Sequence, residues 1–396
     1  MPRSTDPKST VPTTYSPPDS SRLFFVQPAF LPYRWGVLKR FVEQAPHAVD
    51  FAQLWIPDDK EIPEFIASRV RNDRSADANT EKRFGLRWDV IRAYRHSRPE
   101  VLIVAPTPDT ATQALLALWQ KLRGKSVVMW HKGESPLRTK GSKRARVVDA
   151  VMSVAVRFMD AFILYGHDAL RYFQGLGVKR DRLFVAQNTV DTDEIVTREA
   201  EIKREAEVLR AQLGLEGRKI ILVLATLKPA KKVERALELF ARLRAERDDL
   251  ALLIVGDGPE RPKLERLRDT LKLDNCHITG RVPLFHDNYY IKLADLFLVT
   301  GGGGLAINQA MLLGTPVVCV DEIGSDTELV RQGETGYRIP DDDDEGMYEH
   351  VRRLIADPAQ ADGIRTQARE VLLAEGTVDN MARGMLAAVR HCTPHS

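Results

Sequence analysis

The chain has 396 residues, which exceeds one ordinary core and suits two domains of about 150 to 200 residues each. Hydrophobic residues make up 43% and charged residues 29%, which is normal for a soluble globular protein. The net charge of +3 excludes binding to a polyanion through overall charge alone, so any basic function must come from a local cluster.

The amino-terminal residues 1–21 are rich in proline, serine and threonine and predict a disordered tail. They lack the apolar segment of a signal peptide, and no apolar run in the sequence reaches the roughly 18 residues that span a bilayer. Three widely spaced cysteines, Cys276, Cys319 and Cys392, give neither metal-ligand spacing nor a disulfide framework. We therefore expect a reducing, cytoplasmic environment.

Short apolar runs then alternate with helical stretches along the chain. The first series of predicted strands comprises Leu23–Gln27, Val101–Ala105, Ser126–Trp130 and Phe162–Tyr165, with Ala111–Leu122 as one of the intervening helices. The second series begins near Lys219 and comprises IILVLAT, ALLIVG, CHITG, LFLVT and PVVCV. This alternation predicts βαβ crossovers and parallel sheets that are covered on both faces.

A charged stretch, Thr197–Leu213, separates the two series and predicts a solvent-exposed helix. We place the domain boundary beside it, with a first domain at residues 22–200 and a second at 201–376. The expected fold class is α/β, with two Rossmann-like, doubly wound parallel sheets facing an interdomain cleft. Ligands of such sheets lie beyond the carboxyl ends of the strands, so the chemistry is sought in the loops there.

The sharpest local feature is the segment Thr300–Met311, TGGGGLAINQAM, in which a strand leads through four glycines into a helix. Glycines let a ligand approach the backbone, and a helix start offers free amides with partial positive charge. The segment therefore predicts a phosphate or pyrophosphate site, against the plainer interpretation of a flexible turn.

Five motifs in the second half resemble the donor domain of retaining GT-B glycosyltransferases of the glycogen-synthase-like, family-four type. They are Leu252–Leu267 (LLIVGDGPERPKLERL), Ile278–Pro283 (ITGRVP), Tyr289–Val299 (YYIKLADLFLV), Gln309–Val318 (QAMLLGTPVV) and Glu328–Ile339 (ELVRQGETGYRI). In the first half, Val185–Ile195 resembles the hinge motif of the family. The resemblance implies a GT-B fold and retaining transfer from a nucleoside diphosphate sugar, without a cofactor or metal. It also implies that residues 377–396 form a helix that packs back on the first domain.

The sequence departs from the family at two places. The usual pair of glutamates around the donor loop is replaced by Gly301 and Gln309, and the usual arginine–lysine pair by Thr226 and Lys231. Gln309 keeps the length to hydrogen-bond a ribose hydroxyl, whereas Gly301 keeps nothing of the glutamate. One carboxylate and one cation are therefore missing from the expected sugar and phosphate contacts.

The resemblance implies a set of donor contacts in which the base lies on Arg281–Val282 and the ribose near Gln309. These contacts are Thr226, Lys231, Gly256, Arg281, Val282, Gly302, Gly303, Gly304, Leu305 and Gln309. Lys231 is either a phosphate ligand or a solvated lysine, and the resemblance favours the first. Lys231 and His131 are the candidate catalytic residues.

The acceptor side is expected on the first domain. His131, in the sequence HKGE after a predicted strand, either stabilises its loop or faces the transferred sugar, and Glu134 lies in the same loop. Arg34 follows the first strand, where the family often has two glycines. The acidic run Asp341–Asp344 predicts a solvated loop that caps the next helix rather than a metal site, because adjacent acids do not converge on one ion.

A local cationic cluster, Arg138–Arg146, precedes an apolar stretch and offers a docking site for an anionic membrane surface. The alternative is a solvated loop over a core helix. We predict a glycosyltransferase acting on a glycan or lipid-linked acceptor, in polysaccharide or glycolipid biosynthesis, at the inner face of the membrane. A catalytically silent GT-B subunit that binds a glycan or a partner fits the missing residues, and a sugar-nucleotide epimerase ranks last because no paired carboxylates are placed for it.

Overall fold

A computed structural model describes residues 22–27, 30–45, 47–53, 62–71, 82–83, 86–105, 110–133, 152–321, 324–325 and 327–393. The predicted tail at residues 1–21, Glu134 and the cluster Arg138–Arg146 lie outside this described part of the chain. Within it, no helix is long and apolar enough to cross a membrane.

The first half of the chain forms a six-stranded parallel sheet. Its strands are β1 (Arg22–Gln27), β2 (Ala48–Gln53), β5 (Val101–Val104), β6 (Ser126–His131), β7 (Ala161–Leu164) and β8 (Leu183–Val185). Their order across the sheet is β2-β1-β5-β6-β7-β8, and every neighbouring pair is parallel. A two-stranded antiparallel ribbon, β3 (Lys82–Arg83) and β4 (Leu86–Arg87), stands apart from the sheet.

The second half forms another six-stranded parallel sheet. Its strands are β9 (Lys219–Leu224), β10 (Leu250–Val255), β11 (Cys276–Gly280), β12 (Leu296–Val299), β13 (Val317–Val320) and β14 (Tyr337–Ile339). The order is β11-β10-β9-β12-β13-β14, so the chain moves outward to β11 and then returns to the other side of β9. Strand order therefore reverses between β9 and β12, which is where such sheets bind ligands.

Helices cover both sheets. They are α1 (Trp35–Gln44), α2 (Glu64–Ala67), α3 (Trp88–Ser97), α4 (Thr110–Leu122), α5 (His167–Gly175), α6 (Thr192–Thr197), α7 (Glu199–Gln212), α8 (Glu234–Glu246), α9 (Arg261–Thr270), α10 (Asp287–Leu293), α11 (Ala306–Leu313), α12 (Asp344–Ala356), α13 (Pro358–Glu375) and α14 (Val378–Cys392). Short 3₁₀ turns occur at Pro32–Arg34, Val156–Phe158, Arg180–Arg182 and Pro229–Lys231.

Alternate residues of each strand enter separate cores on the two faces of the sheet. In β1, Phe24 and Val26 join one core, whereas Leu23 and Phe25 join the other. This is why the predicted strands are continuous apolar runs rather than alternating patterns. The predicted fold class, two Rossmann-like parallel sheets covered by helices, is confirmed.

Helix α7, predicted to be solvent-exposed, has one buried face. Ile202 and Ala206 are buried against the second sheet, and the Tyr289 hydroxyl on α10 donates to Glu201 at 3.0 Å. The exposure expected from the charge pattern is therefore wrong for this face, because apolar residues at a spacing of four lie among the charges.

Helix α14, the last in the chain, packs on the first sheet rather than on the second. Met381, Met385 and Val389 are buried in the same core as Phe25. Gly384 allows this close approach, because a Cβ there would lie 2.2 Å from the carbonyl oxygen of Val185 in β8. The chain therefore returns to its first half after completing the second.

Candidate functional site

A cavity of about 230 Å³ lies beyond the carboxyl ends of β9, β10 and β11. It brings together four residues predicted from the sequence, Thr226, Gly256, Arg281 and Val282. Gly256 has a φ of +140° and approaches the end of β9 so closely that a Cβ would lie 1.9 Å from the carbonyl oxygen of Ala225. A side chain at position 256 would therefore disrupt the floor of the cavity.

The glycine loop, Gly301–Gly304, lies beside this cavity at the switch point between β9 and β12. It packs on the 3₁₀ turn Pro229–Lys231, and the Lys231 ammonium donates to the carbonyl oxygens of Gly302 and, at 2.9 Å, Gly303. The Thr300 hydroxyl donates in return to the Lys231 carbonyl oxygen at 2.9 Å. Lys231 therefore stabilises the conformation of the glycine loop by binding two of the loop's carbonyl oxygens.

Gly301 replaces a glutamate of the resembling family, and its surroundings explain why this chain has no side chain there. A Cβ at position 301 would lie 2.8 Å from the carbonyl oxygen of Ala230 and 3.1 Å from the carbonyl carbon of Lys231. Both contacts are with backbone atoms, so a larger residue would displace the turn that carries Lys231. The loss of the glutamate and the position of Lys231 are thus linked.

The loop leads directly into α11, which begins at Ala306 after Leu305 at the N-cap. The backbone amides of Gly303, Gly304 and Leu305 donate no hydrogen bond within the described part of the chain. Free amides at a helix start favour an anion, so this edge of the site suits phosphate oxygens.

Asp287 supplies a carboxylate to the cavity that the sequence did not reveal. It is the first residue of α10 and lines the cavity together with Val282. The Gln309 amide nitrogen donates to the Asp287 carboxylate and to the Asn288 side-chain oxygen, both at 3.1 Å. Burial raises the pKa of the Asp287 carboxyl, and the bond from Gln309 partly opposes this. Asp287 thus brings a carboxylate next to Gln309, which occupies the position of the second glutamate of the family's pair.

His131 ends β6 at the carboxyl edge of the first sheet. Its Nδ1 accepts from the Gly133 amide at 2.9 Å, and its ring packs edge-on against Phe173 with centroids 5.2 Å apart. Burial, aided by the charge of Lys132, lowers the pKa of His131 to about 4. The imidazole is therefore neutral at pH 7 with its proton on Nε2, so it can donate a hydrogen bond but does not add positive charge.

Arg34 follows β1 in the 3₁₀ turn at the same edge. Its guanidinium lies over the Trp130 ring at 4.9 Å from the centroid, and it donates to the Tyr165 hydroxyl and, at 3.4 Å, to Gln27. Aromatic rings and an amide thus fix the guanidinium at this edge of the first sheet. Its role on the acceptor side stays a prediction from the sequence. Glu134, the other predicted acceptor residue, lies outside the described residues.

The two halves touch along the cleft through side chains from the second half. The Glu328 carboxylate accepts from the backbone amides of His167 at 2.7 Å and Asp168 at 2.5 Å, at the start of α5. Asn308 on α11 donates to the carbonyl oxygen of Asn188 at 3.0 Å. The loops at the strand ends of the two sheets are therefore in direct contact.

The acidic run Asp341–Asp344 forms ion pairs and a helix cap. Asp341 pairs with Lys232 and Arg235, and Asp343 accepts from the Gly346 amide at 2.8 Å at the start of α12. Among the described residues, no group of His, Cys, Asp or Glu is arranged to hold a metal ion.

Two parallel six-stranded sheets covered by helices, with a cavity and a glycine loop at the strand ends of the second sheet, have the GT-B architecture. Two family models match consecutive parts of the chain: Glycosyltransferase Family 4 at residues 19–194 and Glycosyl transferases group 1 at residues 205–371. The chain therefore belongs to the group 1 glycosyltransferases.

Curated relatives share part of this chain. The α-D-kanosaminyltransferase of Streptomyces kanamyceticus is 33% identical over 159 residues, covering 39% of this chain and 41% of the relative. The N-acetyl-α-D-glucosaminyl L-malate synthase of Bacillus anthracis is 29% identical over 176 residues, covering 42% and 44%. The match thus spans less than half the length of each of these relatives.

Solved structures share the fold over almost the whole chain. HepE of Anabaena in complex with UDP aligns with a TM-score of 0.72 and 17% identity, covering 93% of this chain and 99% of that chain. A sucrose-phosphate synthase from Thermosynechococcus elongatus aligns with a TM-score of 0.71 and 17% identity, covering 94% and 98%. At this level of identity the likeness shows the fold alone.

Proposed function

We propose that this glycosyltransferase moves a hexosyl unit from a nucleoside diphosphate sugar to a hydroxyl group of a glycan or lipid-linked acceptor. The observation that carries the proposal is the cavity beyond β9–β11, which adjoins a glycine loop with free amides at the start of α11. In this proposal the cavity holds the base and ribose, and the free amides of the glycine loop bind the diphosphate. HepE of Anabaena, which shares the fold, has been solved with UDP-glucose.

In this proposal the second half of the chain binds the donor. The base lies against Arg281–Val282, and the ribose hydroxyls meet Asp287, whose carboxylate Gln309 orients. The amides of Gly303–Leu305 stabilise the negative charge that grows on the departing diphosphate. Lys231 keeps those amides in position and offers its positive charge to the same oxygens.

The first half would bind the acceptor and enclose the sugar. Neutral His131 donates from Nε2 to a sugar hydroxyl, while Arg34 and Glu134 contact the acceptor. Closure of the cleft excludes water, which otherwise competes as an acceptor. Retention of the anomeric configuration follows from the family resemblance, and the proposed reaction uses no metal or cofactor.

The acceptor chemistry extends the proposal to the membrane. Lipid-linked acceptors would be met at the inner face of the membrane, with the cluster Arg138–Arg146 as one contact to anionic lipid. The alternative is that the cluster is a solvated loop over a core helix, which requires the apolar residues that follow it to be buried. Met159 is buried in the first core, whereas Val154 is exposed.

Calorimetry with UDP, GDP and ADP tests the donor site. We expect one of the three to bind more tightly than millimolar, and transfer from the matching sugar nucleotide to persist in excess chelator. Binding of none of them below about 1 mM, a free energy weaker than about 4 kcal/mol, refutes the donor site.

A catalytically silent binding subunit is the second candidate, and Gly301 favours it. No side chain fits at position 301 without displacing the turn at Lys231, so the missing glutamate cannot be replaced there. Donor hydrolysis with a panel of sugar nucleotides separates the two candidates. Tight nucleotide binding without hydrolysis or transfer of any donor supports the silent subunit.

A further inference from the structure

The outer face of α4 carries leucines that the fold leaves uncovered. Leu115, Leu118 and Leu122 are 38%, 51% and 78% exposed. At 100° per residue these positions, with the half-buried Trp119, form one continuous stripe along the helix. No acidic residue occurs between Thr110 and Leu122. The stripe is thus an apolar helix face in contact with solvent.

Neighbouring elements extend this face. Three further side chains are exposed: Trp88 at the start of α3, and Val154 and Phe158 in the segment that precedes β7. Of the ten large hydrophobic side chains exposed in the described residues, six lie on α3, α4 and residues 152–158. Exposed hydrophobic residues are ordinarily scattered, so their concentration on one side of the first sheet indicates an interaction surface.

A basic groove of about 620 Å³ runs beside the stripe, between α3 and α4. It is lined by Arg92, Arg95, His96, Arg98 and Arg123 together with two aromatic residues, and none of its lining residues is acidic.

Trp119 joins the groove to the stripe. The Arg95 guanidinium lies 5.7 Å from the centroid of the Trp119 ring, and Trp119 also lines the groove. Asp89 on α3 is buried, and its carboxylate is bonded to Arg87. Within the described part of the chain, the side chains that line the groove are thus basic or aromatic.

We propose that α3 and α4 dock this protein on an anionic lipid surface, with the α4 leucines among the acyl chains and the arginine groove against the headgroups. Leucine and tryptophan on one face beside arginines on another are the composition of interfacial helices. A second copy of this chain fits less well, because a symmetric contact would set one arginine groove against another. The inference deepens the membrane contact included in the proposed function. The surface shares no lining residue with the donor cavity, so the vesicle test and the nucleotide calorimetry can fail separately.

Vesicle sedimentation of the full chain tests the proposal. Wild-type protein is expected to pellet with phosphatidylcholine vesicles containing about a third phosphatidylglycerol at low salt, and to stay largely in the supernatant with phosphatidylcholine alone or in 0.5 M salt, which reduces the Debye length to a few ångströms. Leu118→Gln with Leu122→Gln should lower the partition coefficient by at least about tenfold, since glutamine keeps the helix but not the apolar face. Leu373→Gln, at an exposed leucine of α13, is the matched control and should pellet like wild type.

A second pair of variants tests the charge. Arg95→Gln with Arg123→Gln should lower partitioning by about 30-fold at low salt, which corresponds to about 2 kcal/mol for two arginines near an anionic surface. Arg266→Gln, at an exposed arginine of α9, is the control and should change nothing.

Three results would overturn the inference. One is wild-type protein that remains in the supernatant with anionic vesicles at low salt. Another is binding that is lost when Lys140, Lys143 and Arg144 become glutamate but is unaffected by the leucine and arginine pairs, which would assign docking to the Arg138–Arg146 cluster alone. The third is a dimer in light scattering that the leucine pair dissociates, which would make the stripe a contact between copies.

Discussion

Replacing Asp287 by asparagine should separate nucleotide binding from stability. A hydrogen bond from a ribose hydroxyl to a carboxylate contributes about 1.5 to 3 kcal/mol, so Asp287→Asn is expected to weaken nucleoside diphosphate binding by about 10- to 150-fold. The shape of the cavity and the bond from Gln309 can both persist, because asparagine retains one oxygen acceptor. The expected loss is therefore that of the charge alone.

The same substitution should not reduce stability at neutral pH. Burial raises the pKa of Asp287, so the folded protein holds this proton more tightly than the unfolded chain does. Its contribution to the free energy of unfolding therefore falls as pH rises above the ordinary carboxyl range. Asparagine removes that cost, and the urea midpoint of the variant at pH 7 should equal or exceed that of wild type.

Calorimetry and urea unfolding on the same samples measure both effects. Asp257→Asn is the control: this carboxylate also lines the cavity, but it is half exposed and lies 3.8 Å from Arg261. Asp257→Asn should change the affinity for the nucleoside diphosphate by no more than about fivefold. Moving the carboxylate to α11 with Asp287→Asn and Gln309→Glu should recover part of the affinity. If Asp287→Asn binds as tightly as wild type, or if Asp257→Asn costs more, the ribose assignment fails.

Three further predictions follow from the same geometry. Lys231→Ala should weaken diphosphate binding by about 1.5 to 3 kcal/mol, and calorimetry that finds no change removes Lys231 from the site. Burial lowers the pKa of His131 to about 4, so the free energy of unfolding should fall as pH falls from about 6.5 toward 4. His131→Gln should reduce this pH dependence in urea unfolding. An equal pH dependence in the two proteins would contradict the burial of the ring. Deleting the residues after Gly376 removes α14 from the first core, so hydrogen exchange should rise in β1 and β6, and unchanged protection would show that the first sheet does not depend on it.

The fold could be predicted because its strands are continuous apolar runs separated by helical stretches. Strand β2 is less evident, since Asp50 and Gln53 are buried within it. Arg71 and Ser97 satisfy the Asp50 carboxylate at 2.7 Å and 2.6 Å, and both come from distant parts of the chain. A buried acid of this kind cannot be recognised before its partners are known.

The candidate site also contains both residues that the sequence predicts and residues that only the fold reveals. The glycine loop carries a local signal, because a ligand can approach the backbone closely where glycines follow a strand. Arg281 and Val282 are predicted from the resemblance of the ITGRVP motif to the family. Asp287 carries no local signal: its carboxylate matters only because α10 and α11 place it beside Gln309. Likewise, the close contact that forbids a side chain at Gly301 comes from the turn at Ala230, seventy-one residues earlier.

Helix α5 depends on the other half of the chain for its first turn. Gly166 is its N-cap residue and offers no side chain to the free amides, and the Glu328 carboxylate accepts from two of them instead. Opening of the cleft would withdraw that carboxylate and leave the amides to water, so we expect any such opening to be accompanied by fraying of the first turn of α5. Because Phe173 of α5 packs on the His131 ring, Glu328 of the second half supports the helix against which this histidine rests.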